Sequence, residues 1–262
     1  MTAPMKLTAE GCAATFDPDD GGRLVSFRVG DHELLVAEGA DVFHSGSFVI
    51  APWVGRLREA RFSHRGTEYR FPQNSGPHAL HGLATDRPWR VTGEGELTIE
   101  LGHPWPWPCR VVQRTQLGAG RAAFHIEVHA REPMPAAVGW HPWFVRRLAG
   151  TPKSAELELD IEPRLMWAND VDGLPNGELT APAPRPWDYC FRQLRADPVA
   201  RWPGELELTV GSDCEDWVIY DMEESGVCVE PWTAPPNSLN LPNPRIVTPE
   251  APLVATMTWT WR

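Results

Sequence analysis

A histidine and a glutamate each interrupt an apolar stretch of this sequence, and together they could transfer protons. His141 lies within AVGWHPWF, and Glu230 ends the apolar run of GVCVEPWTAPPNSLN. Burial of such groups removes their solvation and shifts their pKa values, which is how side chains are tuned as general acids and bases. An ion pair or a capped loop would place the same residues there, and the spacing alone leaves both interpretations open.

Two more histidines, His78 and His81, stand three positions apart in SGPHALHG, where glycine and proline exclude a regular helix. Zinc sites need three or four ligands, and no third ligand lies at a plausible spacing. The five cysteines are scattered and form no C-x-x-C pair, which argues against a disulfide framework and a structural zinc site. We therefore predict no metal site and read His78 as a loop residue.

Composition excludes several classes of protein. The 262 residues carry a formal net charge of -11, which offers no basic surface for a phosphate backbone, so we expect no nucleic-acid partner. No apolar run reaches the length of a membrane span, and the first residues lack a secretory pattern. We expect one domain over residues 1–262, no membrane partner and a cytoplasmic location, which also suits unpaired cysteines.

Tryptophan is unusually abundant, with 13 residues against 3 tyrosines. Packing in a large β-sheet core is one explanation, and stacking against the C–H faces of a sugar is the other. The second is suggested by tryptophans that stand beside proline or polar residues in predicted loops, namely Trp53, Trp105, Trp107, Trp143 and Trp232.

The elements that must position these residues are strands. In RAAFHIEVHA, Phe124, Ile126 and Val128 alternate with polar residues, which places His125 and His129 on a solvated face. GELELTV and LVATMTWTWR alternate in the same way, and glycines near positions 66 and 95 indicate hairpin turns. Many short strands at close spacing predict an all-β, mostly antiparallel sandwich or barrel.

Five motifs, taken together and in order, resemble the aldose 1-epimerase (galactose mutarotase) family, and the shorter bacterial members most. They are GRL, NSGPHALHG, GWHPWF, WDYCF and VEPWTAPPNSLN, and the similarity runs from about Gly22 to the C-terminus. The resemblance implies the large antiparallel β-sandwich of that family, the galactose mutarotase-like supersandwich. It also implies an isomerase that interconverts the α and β anomers of a hexose without a cofactor.

The resemblance further assigns roles to individual residues. It makes His141 the general acid and Glu230 the general base, and it places Arg56, His81 and Asp188 against the sugar hydroxyls. Gly55 stands where the family usually has asparagine. At rest we expect Glu230 to be ionised and His141 to be protonated.

Two other functions stay open at this point. A hexose-6-phosphate 1-epimerase would need cations for the phosphate, and Arg58, Arg61 and Arg87 lie near the motif loops. A non-catalytic carbohydrate-binding protein would use the tryptophans without the acid and base. In each case the expected partner is a small monosaccharide, and the sequence leaves the preferred aldose and the oligomeric state open.

Overall fold

The computed structural model describes residues 2–262 and is built almost entirely from strands. The first twelve are β1 (Met5–Ala9), β2 (Cys12–Asp17), β3 (Arg23–Val29), β4 (His32–Glu33), β5 (Ser47–Ile50), β6 (Arg56–Leu57), β7 (Arg61–His64), β8 (Thr67–Arg70), β9 (Ala79–Leu80), β10 (Arg90–Gly93), β11 (Glu96–Leu101) and β12 (Cys109–Gly118). The others are β13 (Arg121–Ala130), β14 (Met134–Pro135), β15 (Gly139–Val145), β16 (Glu158–Asp160), β17 (Pro163–Asn169), β18 (Pro175–Thr180), β19 (Asp188–Leu194), β20 (Val199–Trp202), β21 (Leu206–Ser212), β22 (Asp216–Tyr220), β23 (Gly226–Trp232), β24 (Ile246–Val247) and β25 (Leu253–Trp261). Short 3₁₀ turns cover Arg58–Ala60, Lys153–Ala155 and Ser238–Asn240.

Most of the strands form two large antiparallel sheets. The first has eleven strands in the order β1-β2-β3-β5-β15-β23-β22-β19-β17-β18, with β4 paired to β3. The second has eight, in the order β10-β11-β12-β13-β25-β21-β20-β16. Three small ladders, β6-β9, β7-β8 and β14-β24, lie outside them. The predicted all-β sandwich is therefore confirmed.

The two sheets pack face to face through alternating apolar side chains. On β13, Phe124, Ile126 and Val128 are buried as their period predicts. The ring of Trp259 on β25 in the second sheet contacts Phe27 and Phe144 of the first, with centroids 4.9 and 5.1 Å apart. Burial of such large rings supplies most of the energy that holds the layers together.

Three of the tryptophans singled out in the sequence belong to this packing. Trp53, Trp105 and Trp107 are all buried, and Trp105 stacks within 5.9 Å of Trp53 and 5.7 Å of Phe62. For these three the core-packing interpretation is correct and the sugar-stacking one is wrong. Residues 2–262 contain no helix that is long and apolar enough to cross a membrane.

The central strands of the first sheet are buried on both faces. Every residue of β23 is buried, and so is all of β15 except its last position. One face of these strands meets the second sheet, and the other is covered by the loops that carry Trp53–Gly55 and His81–Gly82. Polar side chains on this second face therefore lie in a partly enclosed space rather than in solvent.

Gly82 fixes the loop that carries His81, and its replacement tests this. A Cβ at Gly82 would lie 2.0 Å from the carbonyl oxygen of Ala51, and the residue has a φ of +71°. We expect Gly82→Ala to lower the free energy of unfolding by about 3 kcal/mol, from left-handed strain plus overpacking. Gly66→Ala is the matched control, because Gly66 has a φ of +81° with nothing within 4 Å. Equal losses in urea denaturation would show that the steric contact is unimportant.

Candidate active site

Strand register brings the two proton-transfer candidates together. Across β15 and β23, Trp143 pairs with Cys228, so His141 stands opposite Glu230 two residues further along. Directly opposed residues of an antiparallel pair share one face of the sheet, with their Cβ atoms about 5 Å apart. Residues separated by 89 positions in the sequence therefore become neighbours through strand pairing alone.

The side chains of His141 and Glu230 meet at the floor of a cavity. The Nε2 atom of His141 lies 3.4 Å from Oε2 of Glu230, and the two residues are 7% and 1% exposed. Nδ1 of His141 and Oε2 of Glu230 find no hydrogen-bond partner within residues 2–262. Buried polar atoms without partners are costly and concentrate where a ligand supplies the missing contacts.

All five residues predicted for the site line this one cavity of about 380 Å³, which is within the range of small-ligand pockets. Besides His141, Glu230, Arg56, His81 and Asp188, the lining includes Asp41, Phe43, His44, Gly55, Asn74, Ser75, Leu80, Trp143, Asn169, Gly173, Leu174, Pro175, Tyr189, Cys190, Val218, Tyr220, Trp232 and Pro236. Trp143 and Trp232 are thus the two tryptophans that remain candidates for sugar contact.

Arg56 and Asp188 present free charges to the cavity. Arg56 opens β6, which pairs with β9, and Asp188 opens β19 opposite Tyr220. Both residues are exposed, and neither forms an ion pair within the described part of the chain. A free guanidinium and a free carboxylate at one cavity can bind the hydroxyl groups of a polar ligand.

His81 is held by its backbone. It has a φ of +59°, its N–H donates to the carbonyl of Gly55 at 3.1 Å, and its own carbonyl accepts from the Thr85 hydroxyl at 2.9 Å. Histidine tolerates this left-handed conformation better than most residues. The strained loop directs the imidazole into the buried part of the cavity, where its ring lies 5.0 Å from that of His141.

Gly55 leaves room for the indole of Trp232. It has a φ of +61°, and a Cβ there would lie 3.0 Å from Trp232 and 2.9 Å from Pro236. A side chain at this position, such as the asparagine expected from the family resemblance, would therefore meet both Pro236 and the indole of Trp232. The indole N–H of Trp232 donates to the carbonyl of Trp140 at 3.3 Å, which orients the ring.

Burial favours the neutral forms of the central pair. It raises the pKa of Glu230 well above its ordinary value, and the charge of Asp188 adds to this effect. Burial also lowers the pKa of His141 well below its ordinary value. Because desolvation penalises both charges, burial opposes the expected resting state, in which Glu230 is ionised and His141 is protonated.

Three donors at and beneath the cavity, of which Cys228 does not line it, could hold a metal ion. Ligand atoms of His141, Cys228 and Glu230 all lie within 4.8 Å of one another, and all three residues are buried. This donor set suits a soft cation such as zinc, with an open fourth position. Burial raises the pKa of the Cys228 thiol well above its ordinary value, so binding would have to displace the thiol proton.

Other candidates from the sequence lie outside the cavity. Nδ1 of His78 accepts from the backbone N–H of Glu59 at 3.1 Å, which is a loop contact as predicted. Arg58 forms ion pairs with Asp170 and Asp172. Arg61 pairs with Glu59 and Glu68. The cavity lining includes none of the three arginines Arg58, Arg61 and Arg87.

Sequence reasoning missed an acidic residue and a histidine at the cavity mouth. Nδ1 of His44 lies 2.7 Å from the carboxylate of Asp41, and the His44 ring packs 5.3 Å from that of Trp143. Their segment, GADVFHSGS, pairs an aspartate with a histidine three residues later in a glycine- and serine-rich loop. That spacing was the available signal, but it matches none of the five motifs.

Comparison with known proteins identifies the class. The family model described as aldose 1-epimerase matches residues 6–196, which is more than half of the chain. No curated protein matches the chain by sequence. The fold is that of the galactose mutarotase-like proteins, and the chain belongs to the aldose 1-epimerase family, a family of carbohydrate epimerases.

Solved structures share the fold along nearly the full length of the chain. A galactose mutarotase-like protein from Clostridium acetobutylicum has a TM-score of 0.84 at 16% identity, covering 98% of this chain and 94% of its own. An aldose epimerase homologue from C. elegans has 0.81 at 14%, covering 100% and 99%. Galactose 1-epimerase from Lactobacillus acidophilus has 0.76 at 16%, covering 96% and 91%.

The buried imidazole of His81 predicts a loss of stability in acid. Burial, with smaller contributions from Arg56 and His44, lowers its pKa to about 3. The unfolded chain takes up a proton near pH 6.5, and the folded chain does not, so the free energy of unfolding falls as the pH drops below 6.5. Between pH 7.5 and 5, we expect the wild-type protein to lose about 2 kcal/mol more than His81→Asn, as measured by urea denaturation.

Asparagine is chosen at position 81 because it tolerates a positive φ. The control is His103→Gln, since His103 is exposed and should leave the pH dependence unchanged. If His81→Asn and the wild-type protein lose stability in parallel, His81 is not the neutral buried group described here.

Proposed function

We propose that this chain is an aldose 1-epimerase that interconverts the α and β anomers of a free hexose. The observation that carries the proposal is the buried contact between His141 and Glu230, 3.4 Å apart at the floor of a cavity lined by polar groups. Membership of the aldose 1-epimerase family supports the reaction class. The identity of the two residues and their separation support the mechanism.

Mutarotation needs one base and one acid. The base removes the proton from the C1 hydroxyl while the acid protonates the ring oxygen, so the C1–O5 bond breaks and the open-chain aldehyde forms. Rotation about C1–C2 presents the other carbonyl face, and the ring closes with the two proton transfers reversed. Glu230 is the proposed base and His141 the proposed acid, and they exchange these roles at ring closure.

A bound sugar can favour the two charged forms that the reaction needs, the Glu230 carboxylate and the His141 imidazolium. A C1 hydroxyl that donates to Glu230 stabilises the carboxylate, and a ring oxygen that accepts from His141 stabilises the imidazolium. Both contacts favour transfer of one proton from Glu230 to His141 without uptake from solvent. Burial therefore favours the neutral pair in the empty cavity, and the contacts with the sugar favour the charged pair.

The remaining polar residues would hold the hexose ring. Arg56 and Asp188 carry free charges at the cavity wall, and His81 contributes a neutral imidazole that can donate or accept. Hydrogen bonds from these groups fix C1 and the ring oxygen against the catalytic pair, which supplies the positioning part of the rate enhancement.

A phosphosugar substrate has less support from the site. Of the arginines considered for phosphate binding, Arg58 and Arg61 already pair with two carboxylates each. Arg56 is the one arginine that lines the cavity within residues 2–262. A dianionic phosphate usually requires several converging donors, so a neutral hexose fits these residues better.

Removal of either catalytic group should abolish most of the turnover. We expect Glu230→Gln and His141→Asn each to lower kcat by roughly 10²- to 10⁴-fold, because each removes one proton-transfer group. The measurement is one-dimensional proton NMR of the anomeric signals after addition of fresh α-D-glucose or α-D-galactose. Glu224→Gln is the matched control, since Glu224 is exposed six residues earlier.

The same assay separates the competing functions. Acceleration confined to hexose 6-phosphates would replace the free-sugar proposal by a phosphosugar epimerase. Saturable sugar binding without anomeric exchange would identify a non-catalytic carbohydrate-binding protein. Near-wild-type turnover in both active-site variants would show that the catalytic pair is wrongly assigned.

Arg56 should contribute to binding more than to chemistry. We expect Arg56→Met to raise KM roughly 10- to 100-fold, which corresponds to the loss of one charged hydrogen bond of about 1.5–3 kcal/mol. The neighbouring Arg58→Met is the control, because Arg58 pairs with Asp170 and Asp172 away from the cavity. Initial rates over a range of hexose concentrations distinguish the two, and an unchanged KM in Arg56→Met would remove Arg56 from the binding site.

A further inference from the structure

The imidazole of His141 lacks the hydrogen bond that usually orients a proton-transferring histidine. In such residues one ring nitrogen normally donates to a carboxylate or backbone carbonyl, which fixes both the tautomer and the ring orientation. Here Nδ1 of His141 is buried without a partner in the described part of the chain. The contact with Glu230 constrains only Nε2, so the plane of the ring must be held in another way.

Two aromatic rings pack almost parallel to this imidazole. Phe48, the cross-strand neighbour of His141 on β5, lies 4.7 Å away with an angle of 24° between the ring planes. Trp143, two residues along β15, lies 5.6 Å away at 22°. The indole N–H of Trp143 donates to the carbonyl of Phe43 at 2.6 Å, which holds that ring in turn.

The Phe48 ring is itself stacked against the guanidinium group of a buried arginine. The guanidinium carbon of Arg23 lies 4.6 Å from the centre of the Phe48 ring, and Arg23 is 1% exposed. Arg23 is anchored by the Asp20 carboxylate at 2.8 Å and by the carbonyl of Ser45 at 2.9 Å. A cation stacked on an aromatic face is attracted to it most strongly in a desolvated site, so Phe48 has little freedom to rotate.

We propose that Phe48, backed by Arg23, is a positioning residue that sets the plane of the His141 imidazole by stacking. Phe48 does not line the cavity, so it does not touch a bound sugar. Its effect on turnover must therefore pass through a neighbouring side chain. The kinetic part of this inference rests on the proposed function, whereas the structural part does not.

The kinetic test removes the flat ring and then restores it. We expect Phe48→Leu to lower kcat about 10- to 100-fold, because a small misplacement of a reacting group carries a cost of that order, with KM unchanged within about twofold. Phe48→Tyr keeps a flat ring and should recover most of the activity. Phe144→Leu is the matched control, since Phe144 is a fully buried phenylalanine of the same strand as His141 that packs against Trp259 in the core.

A second readout does not depend on activity. With histidine labelled at Cε1, the nine histidines give resolvable NMR signals, and His141→Asn identifies that of His141. We expect one sharp signal, displaced by ring currents, in the wild-type protein and in Phe48→Tyr. In Phe48→Leu we expect this signal to shift towards its random-coil position and to broaden.

The two readouts separate failure of this inference from failure of the proposed function. A wild-type protein without mutarotase activity whose His141 signal broadens in Phe48→Leu would overturn the function and keep the positioning role. A His141 signal that stays sharp in Phe48→Leu, and shifts only by the lost ring current of Phe48, would overturn the positioning role. A rise in KM with unchanged kcat would also overturn it, because it would show that Phe48 supports His81, whose ring is 5.9 Å away.

Discussion

The pairing register of β15 with β23 is the constraint on which the site depends. A slip of one residue would turn every side chain of one strand to the opposite face, so His141 would enter the core between the sheets and lose Glu230. The register is strongly specified because both strands are buried on both faces, and the core-facing residues between them, such as Phe144 and Val227, fit only one alignment. The packing that stabilises the sandwich thus also aligns the two reactive groups.

Burial gives this pair its chemical character. In water near neutrality a carboxyl group is ionised and an imidazole is partly protonated, but burial at the cavity pushes each towards its neutral form. The charged forms are unfavourable until a ligand provides hydrogen bonds to both the carboxylate and the imidazolium. Under the proposed function, a bound sugar would supply those hydrogen bonds, and the charged state would be favoured in the occupied site.

The fold and the principal side chains were accessible from the sequence, whereas the supporting contacts were not. Alternation on β13 and β25 predicted the sandwich, because residues two apart must share a face. His141 and Glu230 stood out because each breaks an apolar stretch. Phe48 could not be recognised, since a phenylalanine in an apolar strand looks the same whether it packs in the core or against an imidazole.

The protonation state also lay beyond the sequence. The expectation of a charged pair came from the chemistry of the reaction, and the degree of burial that opposes it depends on loops distant in the chain. His44 was missed for a related reason: only folding brings its loop over Trp143 and the cavity mouth. Residue type predicts which chemistry is available, but proximity and solvation come from tertiary structure.

The close fit of Trp232 against Gly55 has a consequence for how this cavity can change. Any side chain added at position 55 meets the indole, and any smaller residue at position 232 leaves a void beside the glycine. The effects of substitution at the two positions should therefore be strongly non-additive, as for other residues in direct contact. Reshaping this wall therefore calls for joint variation of positions 55 and 232, with the neighbouring Pro236 included, rather than for single variants.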